Sequence, residues 1–158
     1  CSTKSDDPFE ESFRFVLPGY NVRPLEMEGA LGIEQVKRLA GMIAERRKNG
    51  GLLQAVLGDH PEILIQQEVG ESSWFGFSLV IRPGSAWTRK LLIGKLTELG
   101  FECRPIVAGN FAKNEVVRYF DAEVHGVLRN AEHIDKCGLF VGNHHYPIPE
   151  AMAALAML

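Results

Sequence analysis

Residues 62–107 decide the fold class of this chain; they read EILIQQEVGESSWFGFSLVIRPGSAWTRKLLIGKLTELGFECRPIV. Two stretches rich in Ile, Val and aromatic residues, 62–69 and 74–81, predict strands, and the Gly-Glu-Ser-Ser between them predicts a hairpin. Leucines at three- and four-residue steps predict a helix over 86–99. Residues 101–107 predict a third strand. Because helix and strand do not alternate strictly, an antiparallel sheet is expected.

The segment before this unit is predicted to be mainly one long helix. Residues 1–12 are polar and predict an irregular lead-in. Apolar residues and glycines recur at helical spacing from Pro24 to Lys48, and Asn49-Gly50-Gly51 is expected to end that helix before a short one over 52–57. One face of the long helix combines apolar residues with two glycines, and we expect it to pack closely on another backbone: Leu25, Gly29, Gly32, Val36 and Ile43.

The C-terminal part adds further helices and one strand. Helical segments are predicted over 115–120 and 131–135, a short strand over 138–141, and an apolar helix from Pro149 onward. The whole pattern predicts an α+β fold, in which helices cover a small, largely antiparallel sheet and a long connecting helix precedes it. We expect residues 1–23 to be a lead-in with a turn, and residues 24–158 to form the long helix and the α+β domain.

Composition excludes several classes of protein. The chain has 158 residues, of which 46% are hydrophobic and 23% charged, as is typical of a globular domain. No apolar run reaches the roughly 20 residues that span a bilayer. Seventeen basic and 20 acidic residues are interspersed and give a net charge of −3, which argues against a nucleic-acid partner. Three scattered cysteines cannot form a disulfide framework, so a reducing cytoplasm is expected.

The first candidate site is Gly19-Tyr20-Asn21-Val22-Arg23, a polar turn directly before the long helix. The N–H groups at a helix start attract anions, and the Asn21 amide and the Arg23 guanidinium suit a phosphate or a carboxylate. Spacing alone leaves a simpler interpretation open, in which Asn21 only caps the helix and Arg23 is solvated.

The second candidate is the pair Glu102 and Arg104, which lie on the same face of a predicted strand. An acid and a base side by side could hold a polar ligand, or they could form an ordinary surface ion pair. His144 and His145 are adjacent but lack a third ligand at suitable spacing, so no metal site is predicted. Cys103 and Cys137 are expected to be buried core thiols.

The stretch LPGYNVRPLEMEGALGIEQVKRL resembles the GYN-x-R segment and the following helix of the DegT/DnrJ/EryC1/StrS family, whose members depend on pyridoxal phosphate (PLP). RPIVAGNF and GLFVGNHH resemble the sugar 3-dehydratase branch of that family. The resemblance implies the C-terminal small domain of a fold type I PLP enzyme, preceded by a segment that belongs to the large domain. It also implies that the catalytic residues lie upstream, so none is assigned here.

The resemblance assigns roles to five positions. Asn21, with Arg23 beside it, matches the residue that reaches the cofactor phosphate of the other subunit. Phe13 matches an aromatic that enters the partner's active site. Separately, the polar lead-in is expected to give Phe13 little to pack on within its own chain. Glu102 and Arg104 match positions that line the substrate cleft.

The activity implied is removal of the C3 hydroxyl from a GDP-linked 4-keto-6-deoxyhexose, with PLP as cofactor and glutamate as amino donor. The enzyme would be a homodimer with shared active sites, and this chain alone would be inactive. A related branch holds an iron–sulfur cluster, but only Cys1 precedes Gly19, so no cluster is expected. Two alternatives stay open: a sugar-nucleotide 4-aminotransferase of the same family, and a non-catalytic binding or dimerisation domain.

Overall fold

A four-stranded antiparallel sheet forms the centre of the molecule. The computed structural model describes residues 6–20 and 24–158. The strands are β1 (Ile63–Ile65), β2 (Gly76–Ile81), β3 (Cys103–Arg104) and β4 (Gly138–Gly142). Their order is β1-β2-β4-β3, and every neighbouring pair is antiparallel. The predicted α+β class and the antiparallel sheet are confirmed.

Helices surround the sheet: α1 (Pro8–Glu11), α2 (Glu26–Val36), α3 (Leu39–Leu57), α4 (Arg89–Glu98), α5 (Arg129–Cys137) and α6 (Pro149–Leu155). Two 3-10 helices, Phe111–Lys113 and Glu115–Tyr119, lie between β3 and α5. The lead-in is therefore not wholly irregular as predicted. Asp7 caps α1 by accepting a hydrogen bond from the Phe9 N–H at 2.9 Å, which satisfies a donor at the start of the helix.

The core lies on one face of the sheet. Strand alternation puts Phe77, Leu79 and Ile81 of β2 on the same face, and the register places Val141 and Leu139 of β4 opposite the first two. All five are at most 3% exposed. Leucines and a methionine from the helices complete the cluster: Leu53, Leu57, Leu92, Leu96, Met152 and Leu155. The sheet is thus covered by α3, α4 and α6, as the pattern predicts.

The predicted long helix is wrong in two respects. It is interrupted at Lys37 and Arg38, between α2 and α3, and α3 then continues through Asn49-Gly50-Gly51 to Leu57. The glycines therefore do not end a helix. Gly50 is buried, and a Cβ atom there would lie 2.6 Å from Cγ of Trp74. The glycine is present because the indole of Trp74 packs directly on the helix backbone.

Gly50 and its neighbour Gly51 give a matched test of that contact. Gly50→Ala forces the Trp74 ring to move and is expected to lower the free energy of unfolding by about 1–3 kcal/mol. Gly51→Ala meets nothing within 4 Å and should raise it by up to about 1 kcal/mol, since alanine is the better helix former. Thermal or urea unfolding of the two variants measures the difference. Equal stability of the two variants would contradict the close packing.

The glycine face of α2 does not pack as predicted. No residue of α2 is buried, and nothing in the described part of the chain lies within 4 Å of a Cβ atom placed on Gly29 or Gly32. Leu25 and Val36 are each 67% exposed. The prediction is wrong for the isolated chain, because the face that carries Gly29 and Gly32 has no packing partner among the described residues.

All three strands predicted over 62–69, 74–81 and 101–107 are shorter than expected, and β2 begins only at Gly76 because Trp74 has a left-handed backbone with φ of 50°. The hydrogen-bond ladder between β1 and β2 ends at Ile65. Beyond it, the Gln66 side chain takes the place of the backbone hydrogen bonds: its Nε2 donates to Gly76 O at 2.8 Å, and its Oε1 accepts from Ser78 N. The third strand is reduced to Cys103–Arg104. Beyond it, Val107 has a left-handed backbone with φ of 47°, which ends the extended conformation.

Candidate functional site

A groove of about 970 Å³ lies between β3, the end of β4 and α6. It brings together Phe13, Glu102 and Arg104, the three residues expected to contact substrate. The two expected cofactor residues, Asn21 and Arg23, lie outside the described residues. The rest of the lining is mainly apolar, and its polar or charged residues are Arg46, Asn143, His144, Tyr146 and Glu150.

Glu102 and Arg104 form an ion pair at one side of the groove. Arg104 donates from both Nε and Nη2 to Oε1 of Glu102, at 2.9 and 2.7 Å. The Arg104 and Glu102 side chains are 57% and 75% exposed, so the pair contributes at most about 1 kcal/mol to stability. Because it uses a single carboxylate oxygen, Oε2 of Glu102 and Nη1 of Arg104 can still bind a polar ligand.

Phe13 is held beside this pair by the lead-in of its own chain. The expectation that Phe13 has little to pack on within its own chain is wrong. Arg14 donates from Nη2 to Oε1 of Glu115 at 2.6 Å. Phe15 N donates to Oδ1 of Asn114 at 3.3 Å, and Phe15 O accepts from Val116 N at 3.2 Å. Phe13 is half-buried as a result. One chain therefore places all three predicted substrate residues around one groove.

A buried pair of asparagines, which the sequence analysis missed, positions the far side of the groove. Asn49 and Asn143 are 1% and 5% exposed. Asn49 Nδ2 donates to Asn143 Oδ1 at 3.1 Å, to His144 O at 3.0 Å and to Tyr146 O at 2.9 Å. Asn143 Nδ2 donates to Trp74 O at 2.8 Å and to Arg46 O. The pattern Asn-Gly-Gly usually indicates a helix end, so it gives no sign that Asn49 is a buried hydrogen-bond donor.

Four histidines contact neighbouring rings or backbone atoms of this chain. His144 stacks on Tyr146, with ring centroids 4.7 Å apart, and His145 meets the edge of the same ring at 5.4 Å. His133 Nε2 lies 2.8 Å from Ile81 O, and His60 Nδ1 accepts from Glu62 N. Within residues 6–20 and 24–158, no three His, Cys, Asp or Glu side chains are grouped as metal ligands.

The two described cysteines are half-buried, whereas full burial was expected. Both pack against the edge of the core. Burial, with a smaller contribution from the nearby Glu102 carboxylate, raises the pKa of the Cys103 thiol to about 11. Since the thiolate is the nucleophilic form, Cys103 is unsuited to covalent catalysis at neutral pH.

The groove residues do not make a complete PLP site on their own. The ionisable residues that line it are Arg46, Glu102, Arg104, His144, Tyr146 and Glu150, and no lysine is present among the described lining residues to hold an aldehyde. No catalytic step through PLP is therefore assigned to these residues.

A small antiparallel sheet covered by helices is the fold of the C-terminal small domain of fold type I PLP enzymes, and solved structures of such enzymes match this chain. A model of the DegT/DnrJ/EryC1/StrS aminotransferase family matches residues 1–150, and the chain belongs to that family. The resemblance found in the sequence is confirmed.

Two relatives carry the same name. The chain is 58% identical over 153 residues to GDP-4-keto-6-deoxy-D-mannose 3-dehydratase of Yersinia pseudotuberculosis, covering 96% of this chain and 39% of that protein. It is 61% identical over 142 residues to the protein of that name from Escherichia coli O55:H7, covering 89% and 37%. The chain thus spans about two fifths of the length of these relatives.

Solved structures agree with this placement. The E. coli GDP-4-keto-6-deoxy-D-mannose-3-dehydratase with bound hydrated PLP superposes with a TM-score of 0.82 at 56% identity, covering 98% of this chain and 40% of that one. The Helicobacter pylori aminotransferase PseC, at 17% identity and a TM-score of 0.68 over 88% of this chain and 37% of that one, shares the fold alone. No helix among the described residues is long and apolar enough to cross a membrane.

Proposed function

We propose that this chain is the C-terminal part of a PLP-dependent enzyme that removes the C3 hydroxyl of a GDP-linked 4-keto-6-deoxyhexose in cytoplasmic deoxysugar biosynthesis. The observation that carries the proposal is the 58% and 61% identity to two 3-dehydratases for such a substrate, over nearly the whole chain. The groove supports it, because aromatic and cationic side chains lie beside an ion pair that can bind hydroxyl or phosphate oxygens.

In this proposal the chain provides substrate contacts and part of the cofactor site. Glu102 and Arg104 bind the sugar nucleotide, and Phe13 covers the bound substrate from the lead-in. Asn21 and Arg23 bind the cofactor phosphate of the other subunit in a homodimer, and glutamate is the amino donor. Phe13 lies in the groove of its own chain. This position is compatible with a role in the partner's active site if the groove of one subunit faces the active site of the other.

A sugar-nucleotide 4-aminotransferase is the second candidate. The family includes both activities, and the remote structural match to an aminotransferase supports the shared fold. The aminotransferase would use an upstream lysine, where the dehydratase has a histidine. A non-catalytic binding or dimerisation domain is the third candidate.

Product analysis of the full-length protein that contains this chain distinguishes the three candidates. Supplied with PLP, glutamate and GDP-4-keto-6-deoxymannose, it is expected to yield a 3-deoxy ketone and ammonia, detected by mass spectrometry. The 158-residue chain alone is expected neither to retain PLP stoichiometrically nor to form product. An amino sugar would instead indicate the aminotransferase, and turnover by the chain alone would show that the assigned location of the catalytic residues is wrong.

A further inference from the structure

A second cavity, of about 380 Å³, adjoins the groove and has no role in the proposed function. Three residues line both spaces and form the wall between them: Phe13, Pro105 and Val107. The second cavity is also lined by charged side chains from separate parts of the chain: Glu10, Arg14, Arg89, Lys113 and Asp135. A charged side chain that leaves water must find a partner, so the pairing of these charges decides which segments the cavity joins.

Arg89, at the start of α4, joins three elements in this cavity. Its side chain is only 20% exposed. Nη2 donates to Oε1 of Glu10 in α1, and Nη1 donates to the backbone oxygen of Asp135 in α5. The guanidinium also lies over the Phe9 ring, 4.9 Å from its centroid. Arg89 therefore holds the lead-in against α4 and α5 at a point shortly before Phe13.

Asp135 holds the loop that follows β3 with its carboxylate. Oδ1 accepts from the Asn110 N–H at 3.1 Å, and Oδ2 accepts from Nζ of Lys113 at 2.7 Å. These contacts lie just beyond Val107, whose left-handed backbone, with φ of 47°, is strained for a β-branched side chain. A strained residue persists only where its surroundings fix it, so Asp135 helps to keep this loop in the conformation that builds the wall.

Phe13 is thus fixed on both sides along the chain. Before it, Glu10 is bound by Arg89. After it, Arg14 and Phe15 are bound to the second 3-10 helix. Each anchor removes conformations that the lead-in would otherwise sample, so the Phe13 side chain keeps little freedom to leave the groove.

We propose that Arg89 is a positioning residue for the substrate groove: from the second cavity it ties the lead-in to α5, and so places Phe13 in the wall that the loop after β3 completes. Arg89 is not among the residues that line the groove, so it acts through Phe13 rather than by touching substrate. The inference rests on the proposed function for the role of Phe13, which covers the bound substrate.

Fluorine NMR tests the position of Phe13 without requiring turnover. In the full-length protein that contains this chain, 4-fluorophenylalanine incorporated at position 13 should give one resonance displaced from that of the free amino acid. Arg89→Gln removes the charge that binds Glu10 and should move this resonance at least halfway toward the free value. Glu10→Gln, at a side chain that is 50% exposed, should move it in the same direction with little risk to folding.

Lys90→Gln is the matched control for the change of charge. Lys90 is the next residue of α4 and is exposed, so the variant loses the same single positive charge without releasing the lead-in. Its Phe13 resonance should stay where it is in the unmodified protein, and thermal unfolding checks that every variant is folded.

A double-mutant cycle on the enzyme then shows whether Arg89 acts through Phe13. Arg89→Gln alone should raise the KM for the GDP-sugar about three- to tenfold, because the released Phe13 side chain must be immobilised again when substrate binds. In a Phe13→Ala background, Arg89→Gln should raise KM no further. A merely structural effect of Arg89 would instead add to the effect of Phe13→Ala.

An unmoved Phe13 resonance in Arg89→Gln, or additive effects on KM in the cycle, would overturn the inference. If Arg89→Gln does not fold, Glu10→Gln takes its place, and an unmoved resonance in that variant has the same consequence. Failure of the unmodified protein to dehydrate a GDP-sugar would count against the proposed function alone, because the resonance would still show whether Arg89 positions Phe13.

Discussion

Replacing Asn49 with leucine is expected to lower the free energy of unfolding by about 3 kcal/mol or more. The side chain is 1% exposed and donates to three oxygen atoms, those of Asn143 Oδ1, His144 O and Tyr146 O. Leucine has nearly the same volume but no donor, so these acceptors lose their partner, at about 1–3 kcal/mol for each one that water cannot reach. A domain of this size is stable by only about 5–15 kcal/mol, so urea unfolding should show a large shift in midpoint.

Gln54→Leu is the control for that substitution. Gln54 lies on the same helix but is exposed, so its stability should change by no more than about 0.5 kcal/mol. If both variants lost the same small amount of stability, the buried network would not be important for folding.

Asn21→Ala in the full-length enzyme is expected to weaken PLP affinity about tenfold to a hundredfold while the fold stays intact. The loss of one hydrogen bond to a charged group costs about 1.5–3 kcal/mol. Equilibrium dialysis of the cofactor measures the affinity, and circular dichroism checks the fold. Unchanged PLP affinity would contradict the proposed contact between Asn21 and the cofactor phosphate, and a helix cap would not replace it, because α2 begins at Glu26 with Leu25 as its N-cap residue.

A mixed dimer then shows which subunit Asn21 serves. One subunit carries Asn21→Ala and the other lacks its catalytic base, at a PLP concentration that saturates only the unmodified site. If Asn21 acts across the dimer, one site contains both defects and the other contains neither, so half the wild-type activity should survive. Near-zero activity would mean that Asn21 serves its own subunit, and the shared site would be excluded.

The sequence predicts elements well where local pattern and burial agree. β2 and β4 are rich in Phe, Leu, Val and Ile, and the leucines of α4 recur at helical steps, so strands and helix form where expected. Gly100 ends that helix region with a φ of +85°, as a C-terminal glycine should. The pairing of Glu102 with Arg104 also follows from alternation along a strand.

Local pattern fails where a distant residue decides the conformation. Asn49-Gly50-Gly51 has the composition of a helix end, yet α3 continues through it because Trp74 packs on Gly50 and Asn49 donates into the turn after β4. In the same way, the predicted glycine face of α2 has no partner in this chain, since helical spacing shows which residues share a face but not what covers it.

The sequence by itself determined the family, the antiparallel α+β class and the residue types that could bind a phosphorylated sugar. Tertiary structure alone decided that Phe13, Glu102 and Arg104 share a groove with Arg46, His144 and Tyr146. These residues come from four separate parts of the chain. Hydrophobic periodicity shows which apolar side chains of a segment are buried. Which polar side chains come together depends instead on the order and register of the strands between them.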